Sequence, residues 1–243
     1  MVVAIVHMDS KRKFTVSWSG GKDAMLALHR FLKNESDAIV VHLHCVLRMP
    51  QREVGLHGIK EELIDAQAAA MNLPLVKYYL DEGSNASYET LVKRMYEDFA
   101  KDGITGIIFG DIFLEDLKAY RTKLLEGSGL TATFPLWKEE SLSCVESLIN
   151  EGFRCVVCAA NAHVYHAGLL GRTIDTGFLD RLPDGVDPAG ENGEYHTFVI
   201  DGPLFGKPVG YTSGAVTQRE FALSAKQDQE SNPVFYFQEL VLK

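Results

Sequence analysis

Four times between residues 14 and 137, a short apolar run rich in β-formers gives way to a segment with helical periodicity. The runs are 14–18, 38–47, 75–80 and 106–109; the helical segments are 23–33, 59–71, 87–101 and 114–125, and a run at 133–137 closes the series. Strands separated by helices of this length cannot close as hairpins. Each helix acts as a crossover, so successive strands lie parallel in one sheet. The expected fold is therefore α/β, a doubly wound parallel sheet. The 38–47 run is long enough for a strand buried on both sides, as parallel sheets require. The helices have matching apolar faces: Met25, Leu28 and Leu32 in the first, Leu63, Ala66, Gln67 and Ala70 in the second, and Leu91, Val92, Met95 and Phe99 in the third. Ser84 or Ser87 is the expected cap of the third.

The first strand-to-helix turn reads Ser17-Trp18-Ser19-Gly20-Gly21-Lys22-Asp23-Ala24. Paired glycines let the backbone approach an anion, and a helix start offers free N–H groups at the positive end of its dipole. The turn therefore reads as a phosphate cradle. Its spacing is not that of G-x-x-x-x-G-K-[ST], because Lys22 follows the glycines directly. Gly110-Asp111 also falls just past a strand end. In doubly wound sheets ligands bind outside the carboxyl ends of the strands, so the two turns can share one crevice.

Beyond Trp137 the pattern changes, and the chain divides into an expected doubly wound domain carrying the phosphate cradle, 1–137, and a smaller α+β domain, 138–243. Ser143 with Glu146 reads as a capping box for a helix to about residue 150, and 153–159 reads as a strand. A long loop rich in Gly and Pro follows from Asn161. Strands are expected at 195–200 and 235–242. Where that loop ends, Glu191, Asn192, Gly193, Glu194, His196 and Thr197 crowd one glycine-punctuated turn. Core packing asks for no such density of polar groups, which suits binding or proton transfer. Cys155 and Cys158, ahead of His163 and His166, suggest zinc at first sight. The cysteines lie three apart in a β-branched run and the gap to His163 is short, so buried structural thiols are the better reading. His42 and His44 share a strand face and read as histidines at a core edge.

The formal net charge of −9 argues against general nucleic-acid binding. No run approaches the roughly 18–20 apolar residues of a membrane span. Residues 1–10 carry no basic residue ahead of their apolar run, so they do not read as a secretory signal. Four cysteines without framework spacing suit a reducing compartment, and a cytoplasmic protein is expected. A homodimer is the default assembly.

Ser19-Gly20-Gly21-Lys22-Asp23 resembles the S-G-G-x-D-S signature of the PP-loop ATP pyrophosphatases. The wider pattern resembles one branch, the diphthine-ammonia ligase family. It rests on His57-Gly58, Gly106-Ile-Ile-Phe-Gly-Asp-Ile112, Phe134-Pro-Leu-Trp137, Leu170-Gly-Arg-Thr-Ile-Asp175, Gly185-Val-Asp-Pro-Ala-Gly-Glu-Asn-Gly-Glu-Tyr-His-Thr197 and Asp201-Gly-Pro203. The resemblance implies a Rossmann-like sheet of the PP-loop type and an ATP-dependent amidation. A carboxylate takes AMP from ATP with release of pyrophosphate, and ammonia then displaces AMP. It implies ATP held by Ser19, Gly20, Gly21, Lys22, Asp23, Ala24, Gly110 and Asp111, with Lys22 acting on the phosphates and Asp23 and Asp111 as Mg²⁺ candidates. Glu191, Asn192, Gly193, Glu194, His196 and Thr197 would receive the acceptor and ammonia, with Glu194 or His196 deprotonating the amine. Arg121 and Arg172 are weaker anion contacts, each better read as a solvated arginine. The acceptor would be diphthine on an elongation factor or a small carboxylate metabolite. Ala24 replaces the signature's final serine, a cost of about one hydrogen bond, ~1 kcal/mol. That departure keeps a non-catalytic ATP-binding or sensor module open as an alternative.

Overall fold

Residues 11–81, 85–220 and 234–243 are described by a computed structural model. The first sheet is built from β1 (Arg12–Ser17), β2 (Ala38–Arg48), β3 (Glu53–Val54), β4 (Ile59–Lys60), β5 (Leu75–Leu80), β6 (Gly106–Ile108) and β7 (Thr131–Thr133). β1 pairs parallel with β2 and β6, β6 with β7, and β2 with β5. The parallel order β5-β2-β1-β6-β7 places the reversal of strand order between β1 and β6. The short β3–β4 ribbon is antiparallel and pairs with the last residues of β2. At Leu47 and Arg48 β5 already occupies one edge of β2, so β3 takes the edge that β1 leaves after Ser17. The stretch expected as a polar loop before His57 is thus partly paired.

Helices α1 (Lys22–Asn34) and α2 (Glu61–Ala70) cover one face of this sheet; α3 (Asn85–Lys101) and α4 (Glu115–Leu124) cover the other. Adjacent β6 residues divide accordingly: Ile107 joins the α3–α4 cluster and Ile108 the α1–α2 cluster, as strand alternation demands. This is the expected doubly wound α/β arrangement. Met25 and Leu28 are buried, whereas Leu32 of the same expected stripe is 44% exposed. The remaining burial on α1 is broader than one stripe, taking in Leu26, His29 and Phe31, because the helix is covered from two sides. Ser87 lies inside α3 and is not its cap; Ser84 lies outside the described residues.

A second sheet, antiparallel throughout, has the order β10-β11-β8-β9, from β8 (Arg154–Asn161), β9 (Tyr195–Asp201), β10 (Tyr211–Glu220) and β11 (Val234–Leu242). Its inner residues, including Phe198 and Val199, join the cluster formed with α1 and α2. Helix α5 (Ser141–Asn150) packs on α1. It begins two residues before the expected capping box and has no side-chain cap; Ser143 donates to Glu140 at 3.0 Å instead. The earlier start brings Ser141, Cys144, Val145 and Leu148 onto one buried stripe. The expected 133–137 run lies too far along: β7 ends at Thr133, and Pro135, with no N–H to donate, starts a turn. The long loop after β8 contains two short helices, α6 (Ala162–His166) and α7 (Thr176–Leu179), capped by Asn161 and Asp175. β10 escapes sequence reading because nearly all its residues are exposed and carry no alternation. None of the described helices is long and apolar enough to cross a membrane.

Candidate active site

After β1 the chain keeps one more pairing, Trp18 N–H to the His44 carbonyl at 2.8 Å, and then turns sharply. Gly20 takes φ +81°, a backbone glycine adopts without strain. Space also demands glycine: a Cβ at Gly20 would lie 2.7 Å from Ile64 Cδ1, and one at Gly21 2.7 Å from His57 Cε1. Two elements clamp the turn by hydrogen bonds. Gln67 of α2 donates from Nε2 to the carbonyls of Gly20 (2.9 Å) and Val199 (2.6 Å), and its Oε1 accepts from Trp18 Nε1 (3.1 Å). From β9, Val199 N–H donates to the Gly20 carbonyl at 2.9 Å, and Thr197 Oγ1 accepts the Lys22 N–H at 3.0 Å. The second sheet therefore holds the turn of the first.

The Asp23 and Ala24 N–H groups at the start of α1 have no partner among the described residues. Both residues line a cavity of about 500 Å³ at the strand-order switch, with Ser19, Gly110 and Asp111. Gly110 is glycine for close approach, since a Cβ there would lie 2.7 Å from the Asp23 carbonyl carbon. Met95, Tyr96, Leu114 and Leu117 form an apolar wing. Gly20, Gly21 and Lys22 lie behind the cavity wall. Lys22 is 3% exposed; its ammonium contacts both Asp23 oxygens (2.7 and 2.8 Å) and sits over the Tyr195 ring.

From the loop before β9 and from β9 itself, Gly190, Glu191, Tyr195 and His196 reach this cavity; Asn192, Gly193, Glu194 and Thr197 do not line it. Glu194 is buried with Oε1 committed to its own turn, accepting from Asp187 N–H (3.0 Å) and Asn192 Nδ2 (3.2 Å). Glu191 Oε1 accepts the Ile112 N–H at 2.8 Å, tying the 190–197 block to the segment after β6. Burial lifts the Glu191 carboxyl to about 7, and the nearby negative charges of Asp23 and Asp111 act in the same direction.

Asp111 is buried and ion-paired with Arg121 at 2.7 Å, and the guanidinium lies over the Phe109 ring. The solvated reading of Arg121 is therefore corrected: its charge is held at the cavity wall by a buried carboxylate that sequence spacing cannot reveal. Arg172 is exposed and donates to the Gly168 carbonyl. His42 and His44 both bond Thr15 Oγ1 at 2.8 Å, and burial holds His44 down at about 3. Cys155 and Cys158 are fully buried, whereas His163 and His166 are exposed on α6.

Two residues with no assigned role in the sequence reading prove central. Gln67 betrays itself only as an amide within an apolar helical stripe. His57, on the short 3-10 turn Gly55–His57, lines the cavity with its ring centroid 4.6 Å from that of His196. Burial lowers its pKa to about 4, and Lys22 assists; His196 is lowered too, chiefly by burial.

Residues 12–132 match the family described as the diphthamide synthase N-terminal domain, and residues 140–220 match the diphthamide synthase C-terminal domain. A curated relative from Danio rerio, a diphthine–ammonia ligase, is 26% identical over 172 residues. The match covers 62% of this chain and 66% of the relative, just under two thirds of its length. Among solved structures, the U34-tRNA thiolase NcsA from Methanococcus maripaludis, determined with its 4Fe-4S cluster, is similar at 15% identity over 58% of each chain, with a TM-score of 0.36.

Proposed function

The chain belongs to the diphthamide synthase family, and on that premise we propose that it is an ATP-dependent amide-forming ligase. It would join the α-phosphorus of ATP to a carboxylate, release pyrophosphate, and let ammonia displace AMP to leave an amide. The observation that carries this reading is one cavity, of nucleotide size, lined by both the Ser19–Asp23–Ala24 turn and the Glu191–His196 block. In this reading residues 1–137 bind ATP and residues 138–243 receive the acceptor.

The free N–H groups of Asp23 and Ala24 and the dipole of α1 favour phosphate at this turn, with the Lys22 charge close behind. Charge that builds on the phosphates in the transition state is stabilised by such preset donors. For Mg²⁺ the residues fit poorly: the Asp23 carboxylate is engaged by Lys22 and that of Asp111 by Arg121. Glu191 and His196, which line the cavity, would meet the acceptor, while Asn192, Gly193, Glu194 and Thr197 would support them from behind. The relative's name supports diphthine on an elongation factor as the acceptor; a small carboxylate is the alternative within the same chemistry.

The test combines ATP and ammonium chloride with a panel of carboxylates that includes the diphthine-bearing factor. One AMP and one pyrophosphate per amide is the expected result. Saturable ATP binding with no AMP from any acceptor would instead support the sensor reading, which Ala24 favours. Ala24 is 5% exposed and borders the cavity, so a serine hydroxyl there has room to meet a phosphate. Ala24→Ser is expected to tighten ATP up to about tenfold, the worth of one hydrogen bond, as read by calorimetry. Turnover that appears only in this variant would mark the natural chain as non-catalytic.

A further inference from the structure

We propose that His57 takes up the nitrogen nucleophile and receives its proton in the amide-forming step, a role that rests on the ligase reading above. His57 Nδ1 lies 3.2 Å from the Thr197 carbonyl oxygen. A carbonyl only accepts, so Nδ1 carries the ring proton and Nε2 carries a lone pair. Among the described residues Nε2 has no partner. The ring also stands against the phosphate turn, because a Cβ on Gly21 would meet its Cε1 at 2.7 Å. Tilted beside it, His196 presents a buried Nε2 that also has no partner among the described residues. Both imidazoles line the cavity, each with an Nε2 that no described residue bonds, at the end where the acyl phosphate would form.

The charged and titratable groups around His57 are Lys22 from α1 and His196 from β9. Burial, and after it the Lys22 charge, disfavour a positive charge on His57, so the ring remains a neutral acceptor at neutral pH. Such an acceptor suits ammonia, which offers three N–H groups, over ammonium, which would bring its charge toward Lys22. As nitrogen bonds to the acyl carbon, the carbon–oxygen bond to AMP breaks and AMP leaves with the electron pair. The attacking nitrogen grows acidic in that step, and one of its protons passes to His57 Nε2. Sequence reading assigned this task to Glu194 or His196. Glu194 does not line the cavity and has Oε1 committed to its turn, and the tautomer of His196 is not set by a bond to its other nitrogen.

The test uses His57→Asn, whose amide N–H can keep the bond to the Thr197 carbonyl while removing the Nε2 acceptor. ATP–pyrophosphate exchange, with the diphthine-bearing factor and no ammonium, reads adenylation; amide formation with ammonium chloride reads the second half. The expected loss falls at least about a hundredfold more on amide formation than on exchange. Hydroxylamine, largely neutral at pH 7, should restore acyl transfer as the hydroxamate. Equal losses in both halves, or none in either, would overturn the role of His57 while leaving the ligase reading standing. A native chain that exchanges pyrophosphate with no carboxylate removes both. Independently of any acceptor, ¹⁵N spectra of the native chain between pH 5 and 8 should show His57 Nε2 as a bare nitrogen that shifts saturably with ammonium chloride in the presence of AMP. A protonated Nε2, or one blind to ammonium, overturns the proposal.

Discussion

Replacing Gln67 with leucine is expected to lower the unfolding free energy by about 3 kcal/mol, because three buried hydrogen bonds of about 1 kcal/mol each are lost together. Leucine is close to glutamine in size, so the cost comes from polar groups rather than from a void. Trp18 Nε1 loses its acceptor, and the carbonyls of Gly20 and Val199 lose the amide that bridges them. Guanidinium unfolding should show a lower midpoint at unchanged slope. ATP affinity should weaken with it, since the same amide fixes the turn that presents the Asp23 and Ala24 N–H groups. The exposed Gln51, changed in the same way, should move stability by no more than about 0.5 kcal/mol. A Gln67 loss no larger than that of Gln51 would show that the clamp does not hold the turn.

Glu191→Gln is expected to flatten part of the pH dependence of stability. The Glu191 carboxyl is raised from 4.5 to about 7 in the folded chain by burial. A folded state that binds the proton more tightly than the unfolded one is favoured below the unfolded value. That advantage is lost as pH rises from about 4.5 through about 7. At about 1.4 kcal/mol per unit, and allowing for the partial exposure of the side chain, the loss is about 2 kcal/mol. Glutamine keeps an oxygen for the Ile112 N–H and never ionises. The variant should therefore match the native chain near pH 5 and exceed it by about 2 kcal/mol near pH 8. Parallel stability curves for the two proteins across this range would exclude an ionising, buried Glu191.

The parallel sheet was legible because each of its elements carries its own periodicity. Strands 14–18 and 75–80 and the helices between them repeat a local burial pattern, and β10, exposed along nearly its whole length, has no such pattern to read. Helix starts were less legible. α5 begins at Ser141, ahead of Ser143, because the stripe it buries outweighs a capping box worth about 1 kcal/mol.

Residue types placed Ser19 to Ala24 and Glu191 to Thr197 among the candidates, and their density of glycine and polar groups was enough to mark both stretches. What each residue does there depended on neighbours far away in the chain. Thr197 holds the Lys22 N–H across 175 positions, Arg121 meets Asp111 at the cavity wall, and the His57 ring packs against that of His196 from a ribbon that no periodicity announces. Backbone conformation and burial faces follow from near neighbours and can be read locally. Tautomers, ion pairs and shifted carboxyls follow from desolvation and from charges that meet only when the two sheets close on one another, so only the tertiary structure decided them.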